Sequence, residues 1–176
     1  MTLHLVDVRP TLVRAWRKEF STFADVEISC GDILELAEDT IVSPANSYGY
    51  MDGGIDLEYM RHFGLRIQSI VQEAISRRPE GLLPVGASIL VMTGDAKIPR
   101  MIVAPTMQIP EQVGAVNAYR AMRAVLRIAS REKNNISHIY CPGLATGTGG
   151  VDPVDASVQM AQAYRDWIES VYKSPQ

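Results

Sequence analysis

Cysteine is scarce in this sequence of 176 residues, with only Cys30 and Cys141 present. Each falls in a stretch that reads as a strand, so two small buried thiols are expected in place of a disulfide framework. The three histidines, His4, His62 and His138, have no ligand spacing with each other or with the cysteines, so neither a metal site nor a cofactor is expected. Also missing is any apolar run long enough to cross a bilayer. Met1 to Asp7 have neither the basic start nor the long apolar segment of a signal peptide, so a cytoplasmic protein with no membrane partner is expected. Positive charge is not in excess. Seventeen Lys and Arg against 20 Asp and Glu give a formal net charge of −3, which offers no sequence-independent attraction for nucleic acid.

What is present is ordinary for a globular protein: 47% hydrophobic and 21% charged residues, with no internal repeat, tail or linker. One domain over residues 1–176 is expected, with residues 1–25 an N-terminal strand and helix added to the rest. Leu3 to Val8 alternates as a strand, and Leu12, Ala15, Trp16 and Phe20 recur at helical spacing. Val26 to Cys30 alternates as a second strand ending at Gly31-Asp32. Ser88 to Met92 and Met101 to Ala104 are continuous apolar runs that fit strands covered on both faces. A long helix from about Gln112 to Glu132 follows, its solvated side carrying Arg120, Arg123, Arg127 and Arg131. His138 to Pro142 is a further strand, and the last helix has a buried stripe of Ala156, Met160, Ala163, Tyr164, Trp167, Ile168 and Val171. Strands alternating with helices imply an α/β fold with a central mixed or largely parallel sheet flanked by helices.

Two stretches carry chemistry. Thr40 to Asp56 reads as a buried strand ended by Pro44, a loop with Asn46 and Gly53-Gly54, and a helix opening with Asp56 in its first turn. Glycine backbone at a helix N-terminus can hold a phosphate or an activated water. Equally, Asn46 can bond its own backbone while Asp56 merely stabilises the helix. The second stretch, Gly143 to Gly150, holds four glycines and two threonines between a strand and a helix. It suits a diphosphate, although no Lys follows as in a P-loop and the dinucleotide fingerprint is absent. Asp32 ends a strand, either as an acceptor for a base or ribose or as a cap for the next turn.

Taken together, Gly31-Asp32-Ile33, Ile41 to Ser47, Gly53 to Asp56 and Gly143 to Gly147 resemble, in order and spacing, the macro domain, an ADP-ribose-binding module. The resemblance implies a three-layer α/β/α fold. It implies that Asp32 accepts the adenine amino group, with Ile33 beside the base, and that Asn46 holds the distal ribose. Gly53, Gly54 and Ile55 would line one side of the diphosphate. Ala145, Thr146, Gly147 and Thr148 would wrap the other, the ligand-binding set extending to Gly149. Asp56 would position or activate water near the distal ribose.

Several positions depart from the family pattern. Ser43 and Pro44 alter the usual Asn-Ala-Ala-Asn run, Met51 and Asp52 replace loop glycines, and Met60 stands where hydrolases often carry His, with His62 nearby. Gly149 replaces an aromatic platform for which Tyr48 or Tyr50 would have to substitute. The implied function is ADP-ribose binding with hydrolysis of ADP-ribose esters, as a mono-ADP-ribosyl-protein hydrolase or an O-acetyl-ADP-ribose deacetylase. Its partner is then ADP-ribose or an ADP-ribosylated protein, and a nucleic acid only if ADP-ribosylated. The alternatives are a non-catalytic ADP-ribose reader and a scaffold whose pocket has decayed.

Overall fold

The computed structural model describes the backbone of residues 1–173 and the side chains of residues 1–171. Strands and helices alternate as β1 (Thr2–Asp7), α1 (Pro10–Glu19), β2 (Val26–Cys30), α2 (Ile33–Leu36), β3 (Thr40–Ser43), α3 (Gly54–Phe63), α4 (Arg66–Ser76), β4 (Ile89–Met92), β5 (Arg100–Val103), α5 (Val116–Arg131), β6 (His138–Cys141) and α6 (Pro153–Lys173). The strands form one mixed sheet in the order β2-β1-β6-β3-β5-β4. Every neighbouring pair is parallel except β4 with β5. Among the described residues no helix is long and apolar enough to cross a membrane.

The two-residue period of the strands sorts the apolar side chains into two cores. Leu3, Leu5, Val42, Ile102, Ile139 and Cys141 face α1, α5 and α6, where Leu12, Trp16, Met122, Leu126, Met160 and Tyr164 meet them. Val6, Ile41, Met101, Val103 and Tyr140 point the other way and pack with Tyr59 of α3 and with Ile67, Val71 and Ile75 of α4. Each fully buried Leu, Ile or Val contributes about 1.5–3 kcal/mol, so both helical layers are held by the sheet and neither needs to be stable alone. The result is a mixed six-stranded α/β fold with helices on both faces.

Several local expectations change. Cys30 is exposed because β2 is an edge strand, whereas Cys141, on interior β6, is buried. β4 is the opposite edge of the sheet; Leu90 packs on one core and Ile89 and Val91 on the other, while Met92 at its end is left exposed. The helix expected from residue 112 starts at Val116, because Val113 N–H donates to Gly149 O at 3.0 Å and draws the preceding segment into a loop contact. Val171 is exposed instead of completing the buried stripe of α6. The N-terminal strand β1 lies inside the sheet, hydrogen-bonded to β2 on one side and β6 on the other.

Asp39 fixes how three strands begin. It sits in the left-handed region at φ 68° just before β3, and its carboxylate accepts from Ser137 N at 2.7 Å, His138 N at 2.9 Å and Thr40 Oγ1 at 3.0 Å. Arg100, at the start of β5, adds an ion pair. Burial opposes ionisation, but these donors outweigh it and hold the carboxyl below its ordinary range. Replacing Asp39 by Ala leaves two strand-end N–H groups unsatisfied and puts a Cβ without a polar partner in left-handed backbone. Urea unfolding at pH 7 is expected to show a loss of about 2–4 kcal/mol for D39A and less for D39N, since Asn tolerates this conformation. A carboxyl depressed in the folded state stabilises above its unfolded pKa. The deficit of D39N should therefore shrink as the pH falls below about 4.

Candidate functional site

Because β1, β2, β3, β5 and β6 are parallel, their carboxyl ends share one edge of the sheet, and the segments leaving them enclose a cavity of about 600 Å³. Every residue of the expected binding and catalytic set lines it. Asp32 and Ile33 follow β2, Asn46 follows β3, and Gly53, Gly54, Ile55 and Asp56 open α3. Ala145, Thr146, Gly147, Thr148 and Gly149 follow β6.

Asp56 is the chemically distinctive member. It lies in the first turn of α3 and is only 7% exposed, its Oδ1 accepting from Ser43 Oγ at 2.7 Å. Burial pushes its carboxyl up to about 7, with the Ser43 hydrogen bond pulling the opposite way. Tyr59, one turn on, donates its hydroxyl to Val42 O at 3.1 Å, and its own pKa is raised by burial and then by the charge of Asp56. An acid poised near neutrality in a cavity can exchange a proton with a bound water or substrate. Ser43, which in the sequence alters the usual Asn-Ala-Ala-Asn run, is the partner of this carboxyl.

Asn46 is committed to its own loop. Its Oδ1 accepts from Tyr48 N at 3.1 Å and Tyr50 N at 3.3 Å, and Nδ2 donates to Tyr50 O at 2.8 Å. The carboxamide thereby folds the segment towards Tyr50, leaving one Nδ2 N–H for a ligand. Asp32 both caps and faces the cavity. Its Oδ1 accepts from Leu34 N at 2.8 Å as the N-cap of α2, so the second oxygen is the one available. Gly54 enters α3 at φ 57°, which favours glycine, and the first N–H groups of that helix have no intrahelical acceptor.

The loop after β6 is folded tightly. Ala145 adopts φ 61°, Val151 N–H donates back to Ala145 O at 3.0 Å, and Gly150 N–H to Gly147 O at 3.0 Å. Among the described residues the N–H groups from Thr146 to Gly149 have no backbone acceptor. A Cβ on Gly149 would come within 2.6 Å of Ala145 O, so no aromatic platform fits there. Tyr50, half exposed on the rim, lines the cavity while Tyr48 does not. Met51 turns into the core, with its N–H on Gln68 Oε1 at 2.8 Å, and Asp52 stays exposed at the mouth. His62 is away from the cavity lining, 3.8 Å from Asp95.

Sequence reading missed Asp7 and Arg9, which reach the cavity from the end of β1. The signal was there: Asp7-Val8-Arg9-Pro10 sits between a strand and a helix, as Gly31-Asp32 does, but it lies in the segment set aside as an addition. Among the described residues no group of three or more His, Cys, Asp or Glu could hold a metal ion.

Comparison with known proteins gives the family. The sequence profile described as "Macro domain" matches residues 42–161. An uncharacterized protein of Aquifex aeolicus is 37% identical over 142 residues, covering 80% of this chain and 81% of that protein. An "O-acetyl-ADP-ribose deacetylase" of Escherichia fergusonii is 27% identical over 145 residues, covering 81% of this chain and 80% of the relative. Among solved structures, the macrodomain of Mycobacterium tuberculosis DarG superposes with a TM-score of 0.67 at 24% identity, covering 78% of this chain and 88% of that one. With the profile spanning most of the sheet and all but the first cavity loops, the chain belongs to the macro domain family.

Proposed function

We propose that the chain binds ADP-ribose and hydrolyses ADP-ribose esters, as an O-acetyl-ADP-ribose deacetylase or a mono-ADP-ribosyl-protein hydrolase. One observation carries this reading. A single cavity gathers an available Asp32 oxygen, two N–H-rich segments and a buried carboxyl poised near neutrality. The name of the Escherichia fergusonii relative supports the ligand class. In this reading Asp32 accepts the adenine amino group with Ile33 beside the base. The N-terminus of α3, at Gly53, Gly54 and Ile55, holds one side of the diphosphate with N–H donors and helix dipole, and Ala145 to Gly149 hold the other. Asn46 uses its remaining N–H on the distal ribose.

Asp56 is the base. It takes a proton from a bound water whose oxygen attacks the ester carbon. In O-acetyl-ADP-ribose that carbon is the acetyl carbonyl and its bond to the ribose oxygen breaks. In an ADP-ribosylated carboxyl side chain it is the anomeric carbon and its bond to the side-chain carboxylate breaks. In each case the proton passes on to the leaving oxygen, so water is added across the ester. A pKa near the working pH suits that task. D56N is expected to lower turnover of O-acetyl-ADP-ribose by about 100-fold or more while calorimetry shows ADP-ribose affinity within about threefold of wild type. Wild-type turnover in D56N would remove Asp56 from the mechanism. Activity should rise with pH through about 7, the value set for Asp56 mainly by burial. S43A, which removes the one hydrogen bond that lowers that pKa, should move the rise to higher pH.

The same burial has a stability consequence. A carboxyl whose folded pKa exceeds its unfolded value is favoured folded only while protonated, so its cost grows as pH rises from about 4 and is complete above about 7. That cost is on the order of 4 kcal/mol. The melting temperature of D56N should match wild type near pH 4 and exceed it by about 10 °C at pH 8.

A non-catalytic reader is the second reading, favoured by the commitment of the Asn46 carboxamide to its own loop. Tight ADP-ribose binding with no turnover of any ester would select it.

A further inference from the structure

Arg9 stands at the junction of β1 and the loop after β6, outside the stretch that the family profile matches. Its guanidinium is held as a fork by Asp7, with Nε on Oδ1 at 2.9 Å and Nη2 on Oδ2 at 3.0 Å. The same group reaches across the sheet edge to Thr146, donating from Nη1 to the carbonyl at 2.9 Å and from Nη2 to Oγ1 at 2.6 Å. Only a single N–H of Nη1 is left uncommitted. Gly143 makes this approach possible. A Cβ there would lie 2.3 Å from Thr146 Oγ1 and 2.9 Å from Arg9 Nη2.

Charge gives the arrangement its meaning. The cavity is lined by the acidic residues Asp7, Asp32, Asp52, Asp56 and Glu58, and Arg9 is the one Lys or Arg among its lining residues. A doubly charged diphosphate entering such a cavity meets repulsion that backbone N–H groups alone must offset. Arg9 balances the charge of Asp7 beside the loop whose N–H groups have no backbone acceptor, and it pins the carbonyl and hydroxyl of Thr146 so that the loop keeps its shape.

We propose that Arg9, oriented by Asp7 and admitted by Gly143, is the residue that positions the β6–α6 loop for a diphosphate and supplies the charge that lets an anionic ligand enter this acidic cavity. The proposal rests on the ADP-ribose reading and adds to it a contribution from the N-terminal strand.

Calorimetric titration of ADP-ribose into the full-length wild type, R9Q, R9K and T146V tests it, with thermal melting to confirm folding. R9Q is expected to bind about tenfold or more weakly. R9K keeps the charge but cannot fork onto Asp7 while reaching Thr146, and should fall between R9Q and wild type. T146V, which loses the hydroxyl but not the carbonyl, should weaken binding by about threefold. The salt response separates charge from mere loop support. Added NaCl screens the carboxylates, so raising it should improve R9Q binding relative to wild type, a change that T146V should not show. R9Q within twofold of wild type overturns the proposal. So does an unaltered salt response in R9Q, or, should R9Q not fold, wild-type affinity in both R9K and T146V. A wild type that binds no ADP-ribose instead overturns the ligand reading itself.

Discussion

Parallel strand pairing is the constraint on which this molecule depends. Five of the six strands run the same way, so the segment that leaves each of them begins at the same edge of the sheet. The loops that start there come from sequence positions more than 130 residues apart, as the contact of Arg9 with Thr146 shows. Neither core creates that convergence directly. The cores hold the helices on the two faces, and the helices occupy the space above and below the sheet, so the loops between them are left to border an open crevice.

Within that crevice the first turn of α3 sets two forces against each other. The helix N-terminus and the hydroxyl of Ser43 favour an ionised Asp56, and burial disfavours it. Burial wins, which is why the carboxyl lies near neutrality and not in the ordinary acidic range. Tyr59 is held by a main-chain carbonyl at 3.1 Å and offers Asp56 no further donor. The poise therefore belongs to a small unit, Ser43, Asp56 and the apolar residues that exclude water from them, built where β3 ends and α3 begins.

Much of this was legible in the sequence because it depends on local pattern. Apolar alternation and short apolar runs marked the strands, and Pro44 ended β3. That these residues line one cavity was legible because glycine loops and Asp32 sit immediately after strands, and strand ends converge in such a sheet. What escaped was pairwise. Nothing in the spacing of Ser43 and Asp56 says that they touch, because the intervening loop sets their distance. The exposure of Cys30 and Met92 escaped for a related reason, since strand order alone decides which strands are edges. Arg9 escaped because its partner is at the far end of the chain, and because it lies in the N-terminal strand and helix, where no motif drew attention to it.

The charge balance of the cavity links these features. Two unit charges about 7 Å apart in surroundings of effective dielectric about 20 interact by about 2 kcal/mol, so a diphosphate facing several carboxylates is opposed by an amount comparable with a weak ligand's whole affinity. Three elements reduce that opposition: the N-terminus of α3, the N–H groups after β6, and Arg9. Asp56 is a fourth, of a different kind. With its pKa near 7 it can become neutral by taking up a proton, so an anion bound beside it favours the protonated form and moves that pKa higher still. On the ADP-ribose reading, tight binding of the anionic product and base catalysis therefore make opposite demands on one carboxyl. The first is served by protonation and the second by ionisation. Arg9 eases that conflict, because a fixed cation offsets the ligand's charge without calling on the proton that Asp56 must release to act.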